Sequence, residues 1–337
     1  MKNLLNTVLE KNILSKEQAQ LAISGLLEGE LSNLQMGALL AAMRIRGESA
    51  SEIAGFAETL LQKASLLPNP PENCLDVCGT GGDGRNTFNI STAVSLTVAA
   101  GGIPVAKHGN RSVSSLCGSA DVLEALVVAT DLTPQQASIE LRENNFAFLY
   151  APHYHPAFKK IAPLRKELGV RTLFNLLGPL LNPARTKTQV IGVFSKQFLR
   201  PMAEALDILG VQNAMVLSSR DGMDEVSLDA LTDVVQLKKG VLTELTIDPQ
   251  ELGLAKTTAD ELKGGDVATN TEILLQLFAG EKGARQDIVA LNASLAFLLA
   301  GKCSSLEEGI SLAKELLSSG AVLQLLKKIR GSKCTLS

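Results

Sequence analysis

Residues 74–100 run CLDVCGTGGDGRNTFNISTAVSLTVAA, a strand-like start and an apolar end joined by very little side chain. Gly79, Gly81, Gly82 and Gly84 clear four of six positions, so backbone N–H groups can approach a ligand and unusual dihedrals cost little. NIST (89–92) then opens the apolar segment 93–100, where unpaired amides and the positive end of a helix dipole attract anions. A glycine loop that feeds a helix start is a phosphate cradle. The stretch lacks the Lys-Ser/Thr ending of the nucleotide P-loop and does not satisfy GxGxxG spacing. On its own it reads first as a tight strand-to-helix turn.

Outward from this stretch the same alternation continues. GGIPVAKHG, FAFLYA, TQVIGVF and NAMVLSS are further strand-like runs, most of them separated by helix-like segments. One such segment starts at Thr133-Pro134 with Gln136, which puts proline at its favoured first position. Strands alternating with helices predict an α/β fold with a mainly parallel sheet flanked by helices. Upstream, the first 65 residues read as helices. Ser15 with Gln18, Ser32 with Gln35 and Ser49 with Glu52 each fit a capping box. LLPNPPEN (66–73) breaks the pattern as a linker. The expected organisation is a small all-helical domain over 1–66 and a large α/β domain over 74–157 and 186–337. Segment 158–185, with helical FKKIAPLRKELG and FNLLGPL, is expected to pack on the helical domain.

Composition narrows the function classes. The chain has 337 residues, 45% hydrophobic and 20% charged, with a net charge of −3. That balance gives no electrostatic footprint for nucleic acid. Five cysteines, with no CxxC pair, fit reduced thiols in a cytosol better than a disulfide frame. The N-terminus has no signal-peptide core, and no apolar run reaches the ~20 residues of a membrane helix. A cytoplasmic protein without membrane or nucleic-acid partners is expected.

Two distant stretches add chemistry to the glycine loop. KHGNRSVSS (107–115) gathers Lys107 and Arg111 with His108, Asn110 and three serines, a set rich in donors and suited to an anion. GSAD (118–121) follows with another small-residue helix start. DGMDEVSL (221–228) carries Asp224 and Glu225 side by side. Adjacent acids in a loop ordinarily just face water, and a solvated charged turn accounts equally well for 107–115. Beside a phosphate site the two acids become candidates for magnesium, a hard cation that takes carboxylate and phosphate oxygens.

In this order GTGGD, NIST, KHGNR, RTLFNLLGPLLNP (171–183) and DGMDEVS closely resemble the anthranilate phosphoribosyltransferase family, and the resemblance runs on to GEKGARQDIVALNASLAFLLAG (280–301). It implies transfer of a phosphoribosyl group from phosphoribosyl pyrophosphate to the amine of anthranilate, with pyrophosphate released and Mg2+, two ions per subunit, present. It also implies a site at the hinge between the domains and a homodimer joined through the helical domain. The residues matching the family's donor contacts are Gly79, Gly82, Asp83, Thr87, Asn89, Ile90, Ser91, Thr92, Lys107, His108, Gly109, Asn110, Arg111, Ser112, Val113, Ser114, Ser115 and Ser119. Ser91, Asp224 and Glu225 match the metal positions, and Gly79, Asn110 and Arg165 the anthranilate contacts; Lys166 and Arg171 do not match the latter. No side-chain base is expected, because the aromatic amine is neutral at pH 7 and carries its own lone pair. His153 and His155 in PHYHP are expected beside the acceptor channel. Leu116-Cys117 departs from a polar pair frequent in the family, and Val127-Val128 stands where glycine is common. Cys78 is read as a small buried residue. Two alternatives stay open: a pyrimidine nucleoside phosphorylase-like enzyme of the same architecture, and a nucleic-acid-binding paralogue without transferase activity.

Overall fold

The computed structural model describes residues 2–112 and 116–332. Helices α1 (Lys2–Leu9), α2 (Lys16–Glu28), α3 (Asn33–Arg46) and α4 (Ala50–Gln62) come first. Capping boxes start α2, α3 and α4 at Ser15, Ser32 and Ser49, each with the expected partner three residues on. Glycines at positive φ end α2 (Gly29, φ 82°) and α3 (Gly47, φ 96°), so the sequence supplies both boundaries. The proline-rich linker at 66–73 has no regular structure.

The remainder is built on one seven-stranded sheet, in the order β3-β2-β1-β4-β5-β6-β7. The strands are β1 (Leu75–Gly79), β2 (Val105–Gly109), β3 (Phe146–Tyr150), β4 (Thr188–Gly192), β5 (Asn213–Ser219), β6 (Thr232–Lys238) and β7 (Val241–Ile247). The first five are parallel, as the alternation predicts, while β6 and β7 pair antiparallel to their neighbours. The strand–helix alternation does not extend to these last two. Their signal is TDVVQLKKGVLTELTI, two β-rich runs around Lys239-Gly240, both at positive φ (49° and 82°) as a two-residue hairpin turn requires.

The sheet buries both faces, and neighbouring residues on a strand go to different cores. Val190, Met215 and Leu217 join the core formed with helix α5 (Ile90–Ala100) and the helices at 284–299, 306–318 and 321–332. Ile191, Ala214 and Val216 join a second core with α2, α3, α4 and the helix at 199–208. Ile161, Leu164, Leu173, Phe174 and Leu177 of the 158–185 segment belong to that second core too. The N-terminal helices therefore do not own a separate core; they share one with a sheet face. All five parallel strands end on the same side, and the glycine loop leaves β1 there.

Candidate active site

At the end of β1 the chain faces β4, with Gly79 opposite Gly192. Neither position tolerates a side chain. A Cβ on Gly79 would stand 2.3 Å from the Asp224 carboxylate, and one on Gly192 would overlap the Asp224 main chain. The first glycine of the loop thus makes room for a carboxylate rather than for a turn. Gly81, Gly82 and Gly84 do adopt positive φ, at 66°, 78° and 74°.

Three consecutive loop residues are held by different parts of the protein. The Thr80 amide donates to Gly192 O at 2.9 Å, and its hydroxyl accepts from the Phe194 amide at 3.2 Å. The Gly81 amide donates to Asp224 Oδ2 at 2.7 Å. Arg171 Nη2 donates to Gly82 O at 2.6 Å, with its guanidinium 4.6 Å from the centre of the Phe194 ring. The amides of Gly82, Asp83 and Gly84 donate to no protein acceptor among the described residues.

Asp83, Asp224 and Glu225 bring their carboxylates within 4.8 Å of one another. Burial, and then the charge of Asp83, pushes Asp224 up from 3.8 to about 6. Burial, and then Asp224, raises Glu225 further. Glu225 Oε2 is buried without a hydrogen-bond partner among the described residues. Three crowded carboxylates with one orphaned oxygen are a donor set for a hard cation. Gly79, Ser91, Asp224, Glu225 and Asn292 line a small cavity of about 20 Å³ there.

Lys107, 1% exposed, lies on β2 and donates to Val77 O at 3.0 Å and Ser91 Oγ at 3.2 Å. Burial lowers its pKa, and the buried Asp76 works against that. Asp76 itself is raised to about 6 by burial, and it accepts from Asn182 Nδ2 at 2.8 Å. His108 and His155 stack edge to face at 5.1 Å. Burial drives them down to about 3 and about 4, so both are neutral at pH 7.

The basic loop after β2 is arranged differently. Arg111 pairs with Asp121 at 2.8 Å and Glu124 at 2.6 Å. Asn110 Oδ1 accepts from the Arg111 amide, and Asn110 O accepts from Ser119 Oγ. The Ser112 and Gly118 amides both donate to Asp121 Oδ2. Val113, Ser114 and Ser115 lie outside the described residues. At the start of α5, Asn89 makes no capping bond and donates instead to Cys117 O. Thr92 Oγ1 is buried without a hydrogen-bond partner among the described residues. The Ile90 side chain is in the core, which leaves only its main chain to face a ligand. Thr87 bridges to Lys263. Cys78 is partly buried, and burial pushes its thiol up.

Arg165 lies exposed on the helix at 158–168, its side chain in no hydrogen bond or ion pair among the described residues. Desolvation lowers its pKa. The structure thus gathers Gly79, Gly82, Asp83, Ser91, Lys107, Asp224 and Glu225, and ties Arg165 to none of them.

Four residues at the site were not singled out from sequence: Asp76, Arg171, Asn182 and Asn292. Asn292 is the clearest case, an amide inside the apolar run 288–299. It accepts from the Val226 amide at 2.8 Å and donates to Val226 O at 3.0 Å, holding the backbone next to Glu225. Asp76 carried a signal as well, an acid inside a strand-like run.

Residues 2–64 match the model of the helical bundle domain of a glycosyl transferase family, and 71–323 match its a/b domain. The anthranilate phosphoribosyltransferase of Alkaliphilus metalliredigens is 42% identical over 98% of this chain and 97% of its own. The crystal structure of the Thermus thermophilus anthranilate phosphoribosyltransferase superposes with a TM-score of 0.91 at 42% identity, covering 97% of this chain and 98% of that one. The Saccharomyces cerevisiae enzyme, solved with PRPP and Mg, gives 0.83 at 26% identity over 94% and 92%. It was also solved with 4-fluoroanthranilate. With both domain models matched and identity at this level over nearly the full length, the chain belongs to the anthranilate phosphoribosyltransferase family.

Proposed function

We infer that this chain transfers the phosphoribosyl group of phosphoribosyl pyrophosphate to anthranilate, a step of tryptophan biosynthesis. The bond from ribose C1 to the pyrophosphate oxygen breaks with its electron pair leaving on pyrophosphate, a C1–N bond to the aromatic amine forms, and the amine's proton passes to water or to the released pyrophosphate. The observation that carries this reading is the carboxylate cluster set against the glycine loop, with Glu225 Oε2 unsatisfied. Such a cluster repels a bare pyrophosphate and accepts one that arrives with cations. The residues fit Mg2+, with Asp224, Glu225, Ser91 and Asp83 as its holders, and we assign two ions per subunit. When bound, the metal supplies charge stabilisation for the departing pyrophosphate.

The chain's own groups do the rest. The free amides of Gly82–Gly84 and the start of α5 receive phosphate oxygens, and Lys107 adds a fixed cation behind Ser91. Gly109 and the loop from Asn110 to Ser115, with Ser119, complete the donor side. Arg165 pairs with the anthranilate carboxylate, and Asn110 and Gly79 orient its ring. Catalysis comes from alignment and charge, with no general base. His108 and His155, neutral and buried, shape the wall without exchanging a proton at pH 7.

A cytoplasmic homodimer belongs to the same proposal. Leu9, Leu21, Leu34 and Ile45 are exposed apolar side chains on the N-terminal helices, with Ile13 between α1 and α2; Leu34 and Ile45 exceed 80% exposure. No helix among the described residues is long and apolar enough to cross a membrane. The test is an anthranilate fluorescence assay with the sugar donor, with and without Mg2+. Loss of the anthranilate signal only when donor and metal are both present is expected. No conversion by a folded, metal-loaded protein would reject the reading.

A further inference from the structure

We propose that Arg171 is the positioning residue of the glycine loop, fixing the Gly82–Asp83 peptide so that the Asp83 amide faces the donor's phosphates. It rests on the reading of that loop as the donor cradle. Two contacts hold the guanidinium: a 2.6 Å bond to Gly82 O and the Phe194 ring at 4.6 Å. Arg171 forms no salt bridge among the described residues, so its charge is not spent on a carboxylate.

Peptide planarity converts that contact into a direction. The carbonyl of Gly82 and the N–H of Asp83 belong to one rigid trans unit and point opposite ways. Pulling the oxygen towards Arg171 therefore turns the Asp83 N–H to the other side of the loop. Glycines at positive φ cannot enforce this alone, because they populate several backbone regions at little cost. Phe194 serves the same loop twice: its ring receives the guanidinium and its amide donates to Thr80 Oγ1. Arg171 also follows the helix that carries Arg165 and precedes Leu173 and Phe174, which are anchored in the shared core. One segment thus places an acceptor-side arginine and, six residues later, a donor-side one.

Steady-state kinetics with each substrate varied separately tests this. Arg171→Met keeps the stem and removes the charge and fork. It should raise the donor KM roughly ten- to a hundredfold and shift the acceptor KM by no more than about twofold. Arg171→Lys should recover part of the donor affinity, because an ammonium reaches the carbonyl but lacks the planar face for Phe194. An unchanged donor KM in Arg171→Met, or equal losses for both substrates, would overturn the assignment. Gly82→Val, read by calorimetry with phosphoribosyl pyrophosphate, separates the two failures. If that variant binds the donor as wild type does, the cradle reading itself falls and the Arg171 proposal with it. If it loses the donor while Arg171→Met does not, only the Arg171 proposal fails.

Discussion

The glycine loop after β1 and the basic loop after β2 sit on neighbouring strands and, in the proposed function, serve one anionic ligand, yet they are built on opposite principles. The first is clamped from outside, by Gly192, Asp224, Arg171 and Phe194, and three of its amides meet no acceptor among the described residues. The second is satisfied from within, its arginine neutralised by Asp121 and Glu124. A backbone cradle cannot be neutralised by a neighbour, so it needs only fixed geometry. A cationic side chain in water finds the nearest acid, and the ligand must compete with that acid for it. Lys107 escapes this, buried beneath the loops and held by a carbonyl and a hydroxyl.

The clamp should break hardest at the carboxylates. Asp224→Asn with Glu225→Gln should cost about a thousandfold in Mg2+-dependent turnover, the equivalent of several kcal/mol of lost metal stabilisation. The same variant should be more heat-stable than wild type at neutral pH without metal. Both acids have folded pKa values above their ordinary ones, so their cost to stability is absent below about pH 4. It grows as pH rises and is present for Asp224 above about 6. A wild-type metal titration, or a lower melting temperature at pH 7.5, would contradict this.

Gly79→Ala tests the clamp with a single methyl. Gly79 is not at positive φ, so no backbone strain enters, and the new Cβ clashes first with the Asp224 carboxylate. Displacing that group by about an ångström should lower kcat on the order of a hundredfold. Turnover within a fewfold of wild type would show that Asp224 need not stand there.

Arg165 lies outside both loops and should be selective. Arg165→Ala should raise the anthranilate KM roughly ten- to a hundredfold and leave the donor KM nearly untouched. Equal losses for both substrates would point to a hinge or folding defect instead.

The basic loop should respond weakly and in the opposite sense. Glu124→Gln frees part of Arg111 and should tighten donor binding about two- to fivefold, the scale of an exposed ion pair. Weaker binding would mean that the acids hold the loop in its working form. The His108–His155 pair should shape the acid limb of stability. Both have depressed folded pKa values, so the unfolded chain takes up protons first and stability falls as pH drops from about 6.5 towards 4. His155→Asn should flatten that acid limb in melting curves; an unchanged slope would remove the pair from the acid response.

Much of the fold was legible because its signals are local. A hydroxyl and a Gln or Glu three residues later satisfy each other's neighbouring amides whatever the rest of the chain does. That is why the starts of α2, α3, α4 and the helix at 134–144 were found. The five parallel strands were found because each is a short apolar run cut off by glycine or a helix start. β6 and β7 were missed: β7 is mostly exposed and mixes charged with apolar residues, and only the Lys239-Gly240 turn marks the hairpin.

At the site, sequence by itself determined the residue types: the bare loop, the paired acids and the basic run. What each of them faces was decided by tertiary structure, because those partners come from far along the chain. Asp224 sits 143 residues from the amide it accepts from, and Arg171 89 residues from the carbonyl it holds. Nothing local distinguishes Arg111, which packing gives to two acids, from Arg171, which packing leaves facing a peptide oxygen and an aromatic ring. Charge and spacing travel with the sequence. Which neighbour a charge meets, and whether water is excluded when it does, depends on the sheet order that brings β1, β4 and β5 side by side.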